Sequence, residues 1–316
     1  MKMPRTGETV FNDMLRGELR FDNRQVDDQI LLKTDGFPTY HLANVVDDHH
    51  MGITHVIRAE EWLSSTPKHV VLYEAFGWKA PAWVHMPLLR NADKSKISKR
   101  KNPVSLDYYR AAGFLPEALL NYLGTMGWSI SGDREKFTLD EMKDAFTWER
   151  VSLGGPVFDL VKLSAMNAIY LRELPDAQIV ERLRSWRFSD EFLASLVPLV
   201  RERIQRLDEF VPMTDFFFSG DLDYAPVAKE LVLKNRTKND SAELLLSYAE
   251  LLDAHRDFTP AALEAASRAF AEKSGFAVKE LFMLVRVAIS ARKATPPLFD
   301  TIVGIGKDMT RRRLRH

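Results

Sequence analysis

Two short apolar runs of strand character enclose one helix in the N-terminal third of this chain. The runs cover residues 55–58 and 84–89, and the helix opens at Ser65-Thr66-Pro67 and ends before Gly77. Pro67 suits the first helical position, and glycine commonly ends a helix. Strand, helix and strand over this length predict a parallel βαβ unit.

The segments on either side of this unit differ in character. Residues 8–34 alternate apolar and polar side chains in short runs, separated by Asp22-Asn23 and closed by Asp35-Gly36, which predicts a small antiparallel sheet. Beyond Val104 the pattern is helical almost throughout. Its signals are a Thr138–Glu141 capping box, a cap at Asp159, a start at Pro175-Asp176, and helical spacing at 193–207, 242–252 and from 259 onward. The predicted fold is an α/β N-terminal part followed by an all-α region.

Composition limits the classes of function. Lysine plus arginine and aspartate plus glutamate number 44 each in 316 residues, so a polyanionic partner must be met by local patches rather than by net charge. The absence of cysteine excludes disulfides, thiolate zinc sites and cysteine nucleophiles. No apolar run approaches membrane-spanning length, and the N-terminus lacks a signal-peptide core. We therefore expect a soluble cytoplasmic protein with no membrane partner.

A basic loop follows the second strand-like run. Its cations are Lys94, Lys96, Lys99, Arg100 and Lys101. A solvated surface loop is the ordinary interpretation of such a cluster. However, ligands of open α/β sheets bind outside the carboxyl ends of strands, and residues 96–100 add one apolar and one hydroxyl side chain to three cations. Such donors can stabilise the charge that develops on a triphosphate, which makes a polyphosphate a candidate ligand.

Lys-Ile-Ser-Lys-Arg at 96–100 resembles the Lys-Met-Ser-Lys-Ser signature of class I aminoacyl-tRNA synthetases, which binds ATP phosphates. Segments 36–69, 85–100, 114–128 and 146–174 are similar to bacterial glutamyl-tRNA synthetases, in the same order and spacing. The resemblance implies part of a Rossmann-type catalytic fold with the remnant of an inserted domain. It divides the chain into the end of the acceptor-binding insertion (1–39), the second half of the catalytic fold (40–75), a stem-contact region (76–175) and a helical anticodon-binding region (176–316).

The resemblance also assigns roles to individual residues. Those for the glutamate substrate are Tyr40, Asn44 and Arg58; those for ATP are Trp62, Leu88, Leu89, Lys96, Lys99 and Arg100; Lys96, Ser98 and Lys99 act in catalysis; and Arg203 reads the anticodon. Each has a plainer alternative. Tyr40, Asn44 and Trp62 can serve packing alone, and Arg58 can form an ion pair with Glu60 or Glu61. The arginines of the helical region can belong to solvated helix faces.

Metal binding is not expected from the chain itself. Asp47, Asp48, His49, His50 and His55 offer ligand types, but adjacent residues on a helix diverge, and the family pattern has no metal there. We expect no zinc site, and magnesium only as a companion of ATP. The implied partners are glutamate, ATP and tRNA(Glu), bound by a monomer.

One departure from the family pattern affects the expected activity. The chain begins inside what resembles the insertion, and His50-Met51-Gly52 lacks the surroundings of the His-Ile-Gly-His signature that class I enzymes carry in the first half of their fold. We expect a glutamate–tRNA ligase that is inactive as this chain alone, because activation needs both reactants positioned in one site. The alternatives are a non-catalytic tRNA-binding fragment, one half of a split enzyme, or a nondiscriminating enzyme that also charges glutamine tRNA.

Overall fold

The computed structural model describes residues 1–98, 104–132, 134–234 and 236–315. They divide into two compact units. The first contains residues 1–97 and 117–166, and the second contains 98–116 and 167–316. The α-helices are α1 Tyr40–His50, α2 Thr66–Phe76, α3 Leu106–Ala111, α4 Pro116–Gly124, α5 Leu139–Ala145, α6 Leu160–Glu173, α7 Asp176–Trp186, α8 Asp190–Val200, α9 Phe210–Phe218, α10 Lys238–Ala254, α11 Pro260–Ser274, α12 Val278–Ser290, α13 Leu298–Ile305 and α14 Lys307–Arg315.

The first unit is built on one mixed sheet of four strands in the order β2-β1-β4-β3. The strands are β1 Glu8–Asp13, β2 Gly17–Asp22, β3 His55–Ala59 and β4 Ala82–Met86. Strands β3 and β4 are parallel and connected by α2, which confirms the predicted βαβ unit. The antiparallel hairpin β1–β2 joins the same sheet, because Asp13 pairs with Trp83 in parallel register. The hairpin is therefore continuous with the parallel sheet.

The antiparallel sheet predicted for residues 8–34 does not extend beyond β2. Residues 29–33 make only an isolated bridge, between Leu32 and Pro38. The chain reverses at Asp35-Gly36, where the Lys33 amide donates to the Phe37 carbonyl at 2.9 Å and Gly36 has a φ of 81°. The positive φ suits glycine, and the tight turn leaves too few residues for a ladder.

The core of the first unit lies between the sheet and helices α1 and α2. Buried apolar side chains from both layers meet there, namely Phe11, Val45, Val56, Val70, Leu72, Tyr73 and Trp83. Helix α2 starts with Pro67 in its first turn and ends at Gly77, whose φ of 68° is left-handed, as predicted. This packing fixes the carboxyl ends of β3 and β4 side by side at one edge of the sheet.

The second unit is helical, which confirms the predicted all-α region. Helix α14 packs against α3, α10, α12 and α13. Helix α12 buries Leu281, Leu284, Val285 and Ala288 at helical spacing. One predicted helix is shorter than expected, because α8 ends at Val200 rather than continuing to Leu207. Pro198 removes a helical donor near its end, and the amides of Arg203 and Ile204 both turn back to the Val200 carbonyl, at 2.8 and 3.2 Å.

Arg313 of α14 is a buried cation that joins backbone segments of the second unit. Its guanidinium donates to the carbonyls of Ile289 at 2.6 Å, Phe216 at 2.8 Å and Gly220 at 3.3 Å, and also to that of Ser219. Burial lowers the pKa of Arg313 to about 10, so it remains charged at neutral pH. These bonds satisfy carbonyls that would otherwise be buried without donors.

Replacing this arginine tests its structural role. Arg313→Met should lower the free energy of unfolding by roughly 3 kcal/mol, because several buried carbonyls lose their donor at once. The matched control is Arg184→Met on the exposed face of α7, which should change stability by less than about 0.5 kcal/mol. Urea unfolding followed by circular dichroism measures both, and equal losses would contradict the assignment.

Candidate functional site

Arg58, near the carboxyl end of β3, lies beside a pair of aromatic rings. Its guanidinium carbon is 5.6 Å from the ring centre of Tyr40 and 5.0 Å from that of Trp62. Tyr40 opens α1, Trp62 follows β3 in a short 3-10 turn, and their rings are 5.2 Å apart. The structure thus brings together three residues that the sequence placed in the glutamate and ATP sites. Cation–π contacts hold the guanidinium against this pair of rings.

No carboxylate of the described residues forms an ion pair with the Arg58 guanidinium. The alternative ion pair with Glu60 or Glu61 does not form. Glu60 instead pairs with Arg16 at 2.9 Å and Arg90 at 3.7 Å, and Glu61 pairs with Lys96. Arg58 is therefore a cation whose charge is available to an anionic ligand.

Two histidines lie behind Arg58. Nδ1 of His69, on α2, is 3.5 Å from an Arg58 nitrogen, and Nε2 of His69 is 2.8 Å from Nδ1 of His41, on α1. His69 is only 1% exposed. Burial, followed by the positive charge of Arg58, lowers the pKa of His69 to about 3. Burial, then Lys68 and Arg58, also lower the pKa of His41, so both rings are neutral at physiological pH.

Asn44 lies one helical turn after Tyr40, on the same face of α1. Its amide nitrogen donates to Asp48 at 2.7 Å, while its amide oxygen is buried and has no hydrogen-bond partner among the described residues. A buried acceptor without a donor is costly, so this oxygen is suited to a ligand N–H. Burial raises the pKa of the Asp48 carboxyl, a cost that the nearby charge of Arg58 partly offsets.

Glu60 holds the segment that follows β4. One of its oxygens accepts from the Leu88 amide at 3.4 Å, and the other accepts from Arg16, which also donates to the His85 carbonyl at 3.2 Å. Leu88 and Leu89 lie just past the end of β4, which stops at Met86 rather than at Leu89 as predicted. Their backbone is thereby fixed at the same sheet edge as Arg58.

A fully buried polar chain underlies this edge. Nδ1 of His85 is 2.7 Å from Asp13, and Nε2 of His85 is 3.0 Å from the Thr66 hydroxyl, which donates to the Trp62 carbonyl at 3.1 Å. Asp13 also accepts the amides of Leu15 and Arg16. The sequence analysis did not identify these residues. They are 72 and 19 positions apart in sequence, and no local spacing signals the contact.

The basic loop begins as a short hairpin. Arg90 bridges Lys96 in antiparallel fashion, and Asp93 accepts from the Ser95 amide at 2.9 Å. Arg90 also bridges Val157, and its side chain occupies the space in which a Cβ on Gly155 would come within 2.5 Å. Gly155 thus allows the loop base to sit against the following segment. Ser98 is half-buried, whereas Lys99 and Arg100 lie outside the described residues.

The second unit contains three contacting residues, Arg203, Arg286 and Thr295, which we call the Arg203 cluster. Arg203 donates to the Thr295 carbonyl at 2.6 Å, and Arg286 donates to Thr295 and to the Pro296 carbonyl. Burial, then the neighbouring charge of Arg203, lower the pKa of Arg286. The sequence analysis missed Arg286, which is 83 positions from Arg203 (286 − 203).

A cavity of about 430 Å³ opens beside this cluster. It is lined by Arg268, Val278, Lys279, Phe282, Met283 and Arg286. Arg268 lies 5.5 Å from the Phe282 ring centre. Basic and aromatic side chains around one opening can accept a base and its phosphate. Other arginines of the region have internal partners, because Arg311 and Arg315 pair with Asp253, and Arg312 with Asp221.

Two family models together match most of the chain. Residues 1–165 match the family model "tRNA synthetases class I (E and Q), catalytic domain", and residues 178–316 match "Anticodon binding domain". The chain is 48% identical over its whole length to the glutamate–tRNA ligase of Cellvibrio japonicus and spans 62% of that protein. It is 49% identical to that of Thermus thermophilus over 99% of the chain and 68% of the relative.

Two solved structures of bacterial glutamate–tRNA ligases align with 99% of this chain. The crystal structure of a glutamate tRNA ligase from Elizabethkingia meningosepticum in complex with its amino acid has 31% identity and a TM-score of 0.55. The alignment covers 99% of this chain and 66% of that one. The synthetase from Elizabethkingia anophelis aligns with 30% identity and a TM-score of 0.54.

In the described part of the chain, no helix is both long and apolar enough to cross a bilayer.

The neutral state of His69 has a consequence for stability. Below its ordinary pKa of 6.5, the unfolded chain takes up a proton that the folded protein excludes until about pH 3. The contribution of neutral His69 to the free energy of unfolding is therefore intact above pH 6.5. It is lost as pH falls, by about 2 kcal/mol between pH 6.5 and pH 5. Urea unfolding at several pH values should show that His69→Asn removes this part of the slope. Parallel pH profiles for the two proteins would contradict it.

Proposed function

Because the chain belongs to the class I glutamyl-tRNA synthetase family, we propose that it serves the ATP-dependent attachment of glutamate to tRNA(Glu). The first unit binds glutamate and ATP, and the helical region from residue 176 binds the anticodon. Residues 76–175, which carry the basic loop, contact the acceptor stem. The observation that carries the proposal is the Arg58 guanidinium, held against the rings of Tyr40 and Trp62 without a carboxylate partner among the described residues.

Arg58 binds the side-chain carboxylate of glutamate in this proposal. A planar guanidinium can form two parallel hydrogen bonds to a carboxylate, and a bond to a charged group is stronger than one to an amide. The Asn44 amide oxygen, buried without a donor, accepts an N–H of the substrate. Tyr40 packs against the guanidinium, with its ring centre 5.6 Å from the guanidinium carbon. Together these groups favour glutamate over glutamine by charge as well as by shape.

ATP occupies the sheet edge beside Arg58. Trp62 offers a ring for stacking, and the fixed backbone at Leu88 and Leu89 offers hydrogen bonds to the adenine edge. Lys96, which pairs with Glu61 in this structure, exchanges that partner for a phosphate. Ser98, Lys99 and Arg100 continue the same loop and complete the phosphate contacts. Magnesium enters this proposal only as a companion of ATP, as part of the substrate.

The chemistry requires positioning and charge stabilisation. The α-carboxylate of glutamate attacks the α-phosphorus of ATP, the bond to the bridging oxygen breaks, and pyrophosphate leaves. Lys96, Ser98 and Lys99 stabilise the negative charge that accumulates on the phosphates. A terminal ribose hydroxyl of the tRNA then displaces AMP from the adenylate and forms the ester.

The tRNA is held through the second unit. Arg203 and Arg286 present donors at one surface, and the adjoining cavity offers Phe282 as a stacking face. Unstacked anticodon bases are recognised by such combinations of stacking and edge hydrogen bonds. Their phosphates add a salt-dependent component to binding. The chain acts as a monomer in this proposal.

Substitution of Arg58 tests the glutamate site. Arg58→Gln should weaken glutamate binding at least about tenfold, because a charge-assisted bond worth ~1.5–3 kcal/mol is lost. Its affinity for tRNA(Glu) should change by less than about twofold. NMR titration measures the affinity for glutamate, and filter binding measures the affinity for tRNA(Glu). Arg24→Gln, which breaks an exposed ion pair with Asp22, is the matched control. Equal losses of both ligands would exclude the assigned role.

Pyrophosphate exchange distinguishes catalysis from binding. Exchange with ATP that depends on glutamate and tRNA would show that this chain carries out activation. Specific binding of glutamate and tRNA without exchange would restrict the chain to the binding part of the reaction. Binding of tRNA alone would favour the non-catalytic alternative.

The Arg203 cluster is tested by the salt dependence of tRNA binding. Arg203→Gln and Arg286→Gln should each weaken binding of tRNA(Glu) by roughly 1–3 kcal/mol if they contact bases, with little change in the salt slope. A phosphate contact would instead reduce the slope by about one. Arg184→Gln is the control on an exposed helix face. Unchanged affinity in both cluster variants would remove the cluster from the tRNA site.

A further inference from the structure

Arg58 rests on a neutral acceptor. Carboxylates orient many guanidinium groups in proteins. The side chain that contacts the Arg58 guanidinium is instead the imidazole of His69, whose Nδ1 lies 3.5 Å from an Arg58 nitrogen. The carboxylates that follow Arg58 in sequence are turned to other cations, Glu60 to Arg16 and Glu61 to Lys96. His69 is 1% exposed and is held by the second turn of α2.

The hydrogen bonds fix the proton positions on both histidines. A guanidinium only donates, so Nδ1 of His69 must be an acceptor without a proton. The proton of His69 therefore sits on Nε2 and is donated to Nδ1 of His41, 2.8 Å away. Donation runs in one direction, from Arg58 to His69 to His41, and both rings are neutral. An additional proton on either ring would place two N–H groups face to face.

A neutral acceptor orients a cation without cancelling its charge. A carboxylate in place of His69 would form an ion pair with Arg58 and compete with the carboxylate of a ligand. Other charged or titratable groups near Arg58 are Asp48 from α1, Lys68 and Tyr73 from α2, and His85 from β4. None of them is within ion-pairing distance of Arg58 in the described structure.

We propose that His69 is a positioning residue that determines amino-acid specificity: it aims the Arg58 guanidinium while leaving its full charge for the side-chain carboxylate of the substrate. This inference rests on the proposed function, because it assumes that Arg58 binds glutamate. It adds that the preference for glutamate over glutamine depends on an uncharged partner behind Arg58. His41 supports the arrangement by accepting the proton of His69.

Two isosteric variants separate charge from packing. The amide oxygen of His69→Asn can occupy the position of Nδ1 as a neutral acceptor, whereas His69→Asp places an anion there at nearly the same volume. His69→Asn should retain the preference for glutamate to within about threefold. His69→Asp should weaken glutamate binding at least about tenfold and leave glutamine binding within about threefold, so the ratio of the two affinities collapses.

NMR titrations of the 316-residue chain with glutamate and with glutamine measure this ratio, because they report weak binding. Thermal unfolding and tRNA binding establish that each variant is folded. The imidazole ¹⁵N shifts of the wild type provide a second measurement that needs no variant. Nδ1 of His69 should give the signal of an unprotonated nitrogen from pH 8 to pH 5, and a protonated Nδ1 would overturn the inference.

The outcomes distinguish this inference from the proposed function. Equal losses in the Asn and Asp variants would indicate a packing role and overturn the inference, as would an unchanged affinity ratio in the Asp variant. In both cases the loss of glutamate binding in Arg58→Gln would still support the glutamate site. If the wild type shows no preference for glutamate and Arg58→Gln has no effect, the glutamate site and the role of His69 are both wrong.

Discussion

The buried contact between Asp13 and His85 is the interaction on which the sheet edge of the first unit depends. Both side chains are inaccessible to solvent, and their 2.7 Å contact joins the end of β1 to β4. The remaining ring nitrogen of His85 reaches Thr66 at the start of α2, and Thr66 in turn holds the Trp62 carbonyl. Loss of one partner of a buried polar pair typically costs about 3–5 kcal/mol, because the other remains unsatisfied. The β1–β2 hairpin, β4, α2 and the turn that carries Trp62 thus share one anchor.

The distribution of carboxylates above this anchor determines what the site can bind. Glu60 forms ion pairs with Arg16 and Arg90 and accepts a hydrogen bond from the Leu88 amide. Glu61 forms an ion pair with Lys96. Arg58 instead contacts the rings of Tyr40 and Trp62 and the neutral imidazole of His69. A guanidinium in these surroundings can form charge-assisted hydrogen bonds to an anionic ligand. The base of the basic loop, from Arg90 to Lys96, lies at the same edge of the sheet.

The helical region shows that basic residues close in sequence differ in role. Arg313 is buried and binds backbone carbonyls, and Arg311 and Arg315 pair with Asp253. These residues stabilise the unit. Arg203 and Arg286, far apart in sequence, meet at Thr295 and leave a basic, partly aromatic opening beside them. Charge clustering in the sequence therefore does not show which arginines stabilise the fold.

The sequence by itself determined the βαβ unit, the capping box at Thr138, the helical region and the family, because each depends on local periodicity, on caps or on motifs read along the chain. It also identified Arg58, Tyr40 and Trp62 by resemblance, but it could not assign the partners of Arg58. The tertiary structure decided that Glu60 and Glu61 turn to other cations and that His69 and His41 lie behind the guanidinium. It decided as well that the hairpin joins the parallel sheet. The physical reason is that hydrogen bonds and ion pairs between residues distant in sequence depend on packing geometry, which local side-chain periodicity does not encode.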